Sequence, residues 1–425
     1  MAARMKRSHF IVLLIMLIFI VISFVTNIID PMGTDVKASF GLTETEVGYF
    51  ATALFLAYGV MSIPSGMLAE RFSGKSVLLW AFVLSGLGAF CYARWPSFNV
   101  ALASLFVIGV GFAMLQVIVN PLLRVAGGEE HYAFFGNMSQ MIFALGSTVS
   151  PHLYVYLKSS LTETGGSRNA LVSTLDKVVP PGMPWVSMYW IFTALLLAMV
   201  LVIAVLRIPK MELKEDEKVG SFDTILMLFR NKTVWVYLVG IIAYVGTEQG
   251  VATKLKGFLT TCHGVDPDLA DRVAVSGFWG AMVLGCAVGL ILLKLFDSRK
   301  ILVVFMACGI MTLLVGLFGS TSAALIALPL MGFWCSVGWP LVFSLALNSM
   351  DKHHGSFAGI LCMGIVGGGA LPPLIGMIAD HSGAFGLRYG MLAILGTLGY
   401  LVFIGLWARP LINNATISGR KESAT

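Results

Sequence analysis

The chain has 425 residues, of which 57% are hydrophobic and only 12% charged. A soluble domain cannot cover that much apolar surface, so a water-borne fold is excluded. The formal net charge of +6 sits in short loops and at the termini, and it carries no sign of nucleic-acid binding.

Repeated apolar stretches of 18 or more residues predict transmembrane helices. Twelve are expected, at 10–37, 47–69, 76–93, 98–122, 134–156, 185–206, 234–259, 272–295, 300–319, 323–347, 356–379 and 386–408. The fold class is therefore an all-α membrane protein. The expected domains are an N-terminal six-helix bundle (1–206), a charged linker (207–233) with an interfacial helix near 221–229, a C-terminal six-helix bundle (234–408) and a tail (409–425). Most of the Lys and Arg residues fall on one side, among them Arg4, Lys6, Arg7, Arg71 and Lys75. That bias predicts a multi-pass protein of the bacterial inner membrane with both termini in the cytoplasm. No small-x-small cleavage site follows the first apolar run, so the first span is expected to be retained.

The first span contains "NIIDP", and Asp30 there has two readings. It either opens an outer loop or lies within a long, tilted first helix, kinked by Pro31, with Asn27 on the same face. In the fourth span, Gln116 and Asn120 are spaced i, i+4, so both amides face one way. They either contact a neutral polar solute or bind helices together. In the seventh span, Glu248 is a carboxylate in an apolar helix and must face the interior or water. It either serves a site or is neutralised by a partner such as Lys254. Lys254 and Lys256 either snorkel outward or, for Lys254, pair with an acidic substrate. Gln249 points ~100° away from Glu248.

Trp279, Trp334, Trp339 and Phe278 are candidates for stacking on the apolar face of a solute, though aromatics in spans more often pack. Asn348 is a gate or a cap, and His152 a structural residue. The glycine runs "GVGFA" and "GIVGGG" permit close helix approach. "GIVGGG" lacks the Lys-Ser/Thr of a phosphate loop. The six cysteines form no CxxC pair. A bridge between Cys91 and Cys262 would join the halves, but nothing favours it. No metal or nucleotide motif is present. No cofactor and no enzymatic activity are expected.

The chain repeats weakly. Pro121 and Gly136 match Pro340 and Gly355, and "RFSGKSVL" after the second span is echoed by "LFDSRKIL" after the eighth. Two related six-helix halves follow, as in secondary transporters.

"GMLAERFSGK" (66–75) resembles the loop signature of the major facilitator superfamily. "NIID", "LQVIVNP", "YVGTEQG" and "WPLVFSLAL…GIVGGGALPPLIGMIAD" resemble, in order, the fucose–proton symporter family of sugar transporters. The resemblance covers nearly the whole chain. It implies that Asp30 faces a central cavity and carries the coupling proton, with Glu248 the next candidate. It implies a loop motif of Gly66, Glu70, Arg71 and Lys75 that acts in conformational change. The fucose symporter has a carboxylate where this chain has Gln116, while the glucose/galactose-like branch has glutamine. Gln140 matches a family glutamine, although Met141 and Ile142 depart from the pattern around it. The candidate solute-binding set, from these readings together, is Asn27, Gln116, Asn120, Gln140, Glu248, Gln249 and Lys254.

The expected function is import of a monosaccharide or amino sugar by proton symport, sodium being the other possible ion, through alternating access by a monomer in the lipid bilayer. The alternatives are an exporter or facilitator of another small polar or acidic-sugar solute, and a sugar sensor that does not transport. The short tail "RPLINNATISGRKESAT" argues against a sensor with a signalling domain.

Overall fold

The computed structural model describes residues 9–162, 169–206, 222–383 and 386–417, apart from the side chains of Asp30, Glu44, Thr45, Glu70, Phe222, Asp268 and Val275. The basic residues at 4–7 and most of the linker lie outside this set. Every regular element among the described residues is helical.

The first half comprises α1 (His9–Thr26), α2 (Ile29–Phe40), α3 (Glu44–Arg71), α4 (Gly74–Arg94), α5 (Phe98–Gly127), α6 (Tyr132–Thr162), the short α7 (Ala170–Leu175) and α8 (Val186–Val205). A short amphipathic helix, α9 (Phe222–Phe229), follows where an interfacial helix was expected. The second half comprises α10 (Lys232–His263), α11 (Pro267–Arg272), α12 (Phe278–Leu295), α13 (Ser298–Phe318), α14 (Thr321–Cys335), α15 (Gly338–Asn348), α16 (His354–Met363), α17 (Gly367–His381), α18 (Gly386–Met391) and α19 (Ala393–Trp407).

Among the described residues, eleven helical segments are long and apolar enough to cross a membrane. The twelfth span is α6. At 31 residues it has ample length, but Asn137, Ser139, Gln140, Ser147 and Ser150 lower its apolarity. All five are buried, so the polar face of α6 turns inward.

The first span is not one helix. It breaks at Asn27–Ile28 between α1 and α2, which corrects the single run expected over 10–37. Pro31 supplies the cause, because it has no N–H to give the carbonyl four residues back, at Asn27, and its ring crowds that carbonyl. Met32 resumes the ladder to Ile28 at 3.1 Å. A proline in the first turn of α2 is well tolerated. Other breaks fall before Pro340, between α14 and α15, and in a 3₁₀ turn at Gly364–Val366 between α16 and α17. A π-helical turn at Val273–Gly277 leads into α12. Broken spans of this kind surround transporter sites.

The fold consists of two pseudo-symmetric six-helix halves, and the repeated loop shows the symmetry at atomic detail. Ser73 caps α4 by accepting from the Ser76 N–H, and Asp297 caps α13 by accepting from the Arg299 N–H at 2.8 Å. One residue pair on, Lys75 donates to the carbonyls of Ala204 (2.8 Å) and Leu206 (3.0 Å) at the end of α8. Arg299 donates to the Ala408 carbonyl at the end of α19 (3.4 Å). In each half a cation from the loop satisfies the orphan carbonyls that close its sixth span.

The halves meet chiefly where α3 packs on α16 and α17, and where α6 packs on α12 and α15. Small residues set these distances. A methyl added at Gly136 would lie 3.1 Å from Pro340, and one at Gly368 would lie 2.9 Å from the Phe55 ring. Gly136 of the first repeat and Pro340 of the second, each from a different matched pair, are thus direct partners across the interface. All six cysteines are free thiols, Cys91 and Cys262 included.

Candidate functional site

We call the end carrying His9, Arg124 and Asn348 the inner end, following the charge-based orientation. Between the halves lies a cavity of about 50 Å³. Its polar wall is Thr26, Tyr58, Gln116, Gln140, Glu248 and Gln249, and its apolar wall includes Phe55, Phe143 and Trp339. A second cavity of about 80 Å³, nearer the outer end, is lined by Asn27, Pro31, Gln249, Thr253, Lys256, Asp271 and Trp279, among others.

Helical spacing explains the convergence. Val245, Glu248 and Gln249 occupy one face of α10 at i, i+3 and i+4. Gln116 comes from α5 and Gln140 from the polar face of α6, so both halves contribute amides. Gln116 and the Tyr58 ring line the same cavity wall. Gln140 Nε2 donates to Tyr244 Oη at 3.3 Å, and Tyr244 lies one helical turn before Glu248 on α10. Gln249 Nε2 donates to Asn27 Oδ1 at 3.5 Å, and Asn27 Nδ2 donates to Ser147 Oγ at 2.7 Å. All of these side chains are buried.

The sequence-derived set divides. Gln116, Gln140, Glu248 and Gln249 share the central cavity, and Asn27 lines the outer one. Asn120 is turned away from both cavities. Its amide donates back to the Gln116 carbonyl (2.9 Å) and lies 3.8 Å from Cys362 Sγ across the interface. Lys254 lies beside Gly376 on α17, outside the lining of either cavity, and it forms no ion pair with Glu248 among the described residues. Lys256 does not simply snorkel, because it binds Asp271 at 2.8 Å at the outer cavity. The backbone of Asp30 opens α2 between Asn27 and Pro31, while its side chain is outside the described set. In the loop motif, Gly66 is buried, Arg71 is exposed and Lys75 makes the carbonyl contacts above; the Glu70 side chain is not described.

Of the aromatic candidates, Trp339 borders the central cavity and Trp279 the outer one. Trp334 packs against Phe305 and Phe333, and Phe278 sits beneath Trp279. Tyr58, Phe55, Phe143 and Tyr244 were not singled out from the sequence. The only signal for the two tyrosines was a hydroxyl in mid-span, which needs a partner there.

The two halves are tied together at the inner end. Arg124 Nη2 donates to Asn348 Oδ1 at 3.4 Å and faces Glu129 at 3.5 Å, with Arg124 fully buried. The Leu411 N–H donates to the Asn348 carbonyl (2.6 Å), and the Ala415 N–H to that of Glu130 (2.9 Å). At the outer end, His152 Nε2 and Ser276 Oγ are 3.3 Å apart across the interface.

Twelve spans in two pseudo-symmetric halves, enclosing amides and a carboxylate between them, define a multi-pass membrane carrier. The chain belongs to the Major Facilitator Superfamily, which matches residues 15–361. This is a family of transporters, not of enzymes. The chain is 28% identical over 407 residues to the glucose/galactose transporter of Brucella abortus, with 94% of each chain covered. It is 25% identical over 382 residues to the L-fucose-proton symporter of Escherichia coli, with 84% of each covered. Its fold is similar to the crystal structure of FucP, a Major Facilitator Superfamily transporter, in the outward conformation. That match has a TM-score of 0.76 at 20% identity and covers 94% of this chain and 98% of that one.

Proposed function

We propose that the protein imports a neutral hexose by proton symport. The observation that carries this reading is the central cavity, where three glutamine amides and one buried carboxylate from both halves meet beside Trp339. Amides donate and accept together, which suits sugar hydroxyls. An aromatic face suits the apolar side of a pyranose. The relatives named as glucose/galactose transporter and L-fucose-proton symporter support the same solute class.

At about 50 Å³ the cavity falls short of the ~300–1,000 Å³ of ordinary ligand sites. The halves must part to admit a sugar, and the small residues at their contact allow it. Glu248 and Asp30 are the two proposed proton carriers. Glu248 reaches the cavity wall, while Asp30 rests on the family resemblance and on its place beside the break in the first span. Gln116, Gln140 and Gln249 are the proposed sugar contacts. We assign the halves as 1–206 and 234–408, joined by a cytoplasmic linker and followed by a cytoplasmic tail. The protein is placed in a bacterial inner membrane, as a monomer with both termini inside.

The test is uptake of radiolabelled D-glucose, D-galactose and L-fucose into membrane vesicles, with and without an imposed proton gradient. Gradient-dependent accumulation of one of them is the expected result. Accumulation driven only by sodium would replace the ion. Binding without any uptake would replace the transporter with a sensor.

A further inference from the structure

The outer cavity repeats the chemistry of the central one. It joins Asn27 of the first half to Thr253, Lys256, Asp271 and Trp279 of the second, with Gln249 shared between the two cavities. On α10, Gln249, Thr253 and Lys256 are spaced i, i+4 and i+7, and they continue the face that carries Val245 and Glu248. One stripe of α10 therefore runs from the outer cavity into the central one. The π turn at Val273–Gly277 bonds residues five apart, and Ala274 and Trp279 accordingly line the same cavity. Trp279 packs against Phe143, whose ring lines the central cavity, with centroids 6.2 Å apart. The two cavities are thus divided by the Gln249–Asn27 bond and by this aromatic pair.

Several groups in the outer cavity have hydrogen-bonding capacity left over. Thr253 Oγ1 is buried and has no protein partner among the described residues. Leaving a buried hydroxyl unsatisfied is costly, so water or a solute hydroxyl is the natural complement. Lys256 gives one of its three N–H bonds to Asp271 Oδ1 at 2.8 Å. Its other two, and Asp271 Oδ2, have no further hydrogen bond among the described residues. The two side chains are 40% and 41% exposed, so the pair stands at the mouth of the cavity. A paired acid and base present no net charge, which favours an uncharged solute over an ion. Together they donate and accept, as adjacent hydroxyls require. The buried Trp279 indole adds an apolar wall for the C–H face of a sugar ring.

We propose that the outer cavity is a second hexose subsite, which holds the sugar before the Gln249–Asn27 bond opens to the central site. Thr253 and the Lys256–Asp271 pair bind hydroxyls there, and Trp279 carries the ring. The inference rests on the hexose-import reading above and adds the place where the sugar is held on the outer side of the partition.

The experiment measures equilibrium binding of radiolabelled D-glucose, D-galactose and L-fucose to the purified full-length protein. The expected isotherm for the transported sugar has two phases and reaches two hexoses per chain. Thr253→Val, which keeps the shape and removes the hydroxyl, should weaken one phase about fivefold. Gln116→Ala should weaken the other, and the double variant should show each change in its own phase. A second measurement places the phase. In a background lacking the native cysteines, Ala274→Cys should be labelled by a hydrophilic reagent from the outer side. The sugar should slow that labelling, and should still do so when Gln116→Ala is added. One hexose per chain, or both substitutions acting on the same phase, overturns the inference. So does an unchanged isotherm in Thr253→Val. Should Thr253→Val not fold, Trp279→Leu is read in the same way, and an unchanged isotherm there overturns it equally. One hexose per chain alongside gradient-driven uptake would leave the transport reading standing and remove only the outer subsite. Neither binding nor uptake of any of the three sugars by the parent would defeat the reading and the inference together.

Discussion

Gln249 Nε2 reaches Asn27 Oδ1 at 3.5 Å, and this bond lies where the outer and central cavities adjoin. Gln249 lines both cavities, while Asn27 belongs to the outer one and sits at the break between α1 and α2. A weak bond between a helix break and an intact helix can partition the solute path and still open at little cost. Gln249→Ala should unlatch it, removing about 1 kcal/mol, or about fivefold in the closed-to-open ratio. The check is a cysteine placed at Thr26 in a background lacking the native cysteines. Its labelling by a hydrophilic reagent from the outer side should accelerate, and an unchanged rate would show that the pair does not gate access.

Gln116 and Asn120 share a helix face but not a role. Gln116 lines the cavity and Asn120 is spent on its own helix and on Cys362. Gln116→Ala should weaken sugar binding by about 1–3 kcal/mol with folded yield retained. Asn120→Ala should lower thermal stability with a smaller effect on affinity. Equilibrium sugar binding and melting in detergent separate the two, and the opposite pattern would exchange the assignments.

Asp30 and Glu248 are the two proposed carriers of the coupling proton. Asp30→Asn and Glu248→Gln each imitate a permanently protonated side chain. The variant that abolishes gradient-driven accumulation while sugar-for-sugar counterflow survives identifies the carrier. If accumulation persists in both, neither residue carries the proton.

Lys254 lies off both cavities, and Lys256 is paired with Asp271. Lys254→Gln should therefore leave hexose uptake within about twofold of the parent, the scale of a surface change. Lys256→Gln frees Asp271 beside the outer cavity and should have the larger effect. A selective loss of acidic-sugar uptake in Lys254→Gln would overturn the choice of a neutral substrate.

Asp297 lies between α12 and α13, outside the spans. Partial burial raises its pKa, but the bonds from Arg299 and the nearby charge of Lys300 outweigh this and hold it below the ordinary value of 3.8. A lowered folded-state value means that the stabilisation is present above the unfolded pKa and is lost as pH falls through the folded one. Melting temperature should therefore drop below about pH 4 in the parent. In Asp297→Ala the melting temperature should start lower, by about 1 kcal/mol of cap stability, with a flatter acid limb. An equally steep limb would place the acid sensitivity elsewhere.

The membrane class, the spans and the repeat follow from the sequence itself, because apolar length and loop charge are local properties. Pro31 even located the disturbance in the first span, although a kink and a full break look alike before packing is known. Which polar residues share a cavity is decided only by tertiary structure. Gln116 and Asn120 have the same helical phase, yet Cys362 from the other half engages one amide and leaves the other to the cavity. Lys254 looked like a partner for Glu248 along the chain, but they sit on different faces of α10, and Lys254 lies beside Gly376 instead. Tyr58 and Tyr244 became visible only once α3, α5, α6 and α10 were assembled. A mid-span hydroxyl acquires its meaning from partners distant in sequence, and no local pattern encodes them.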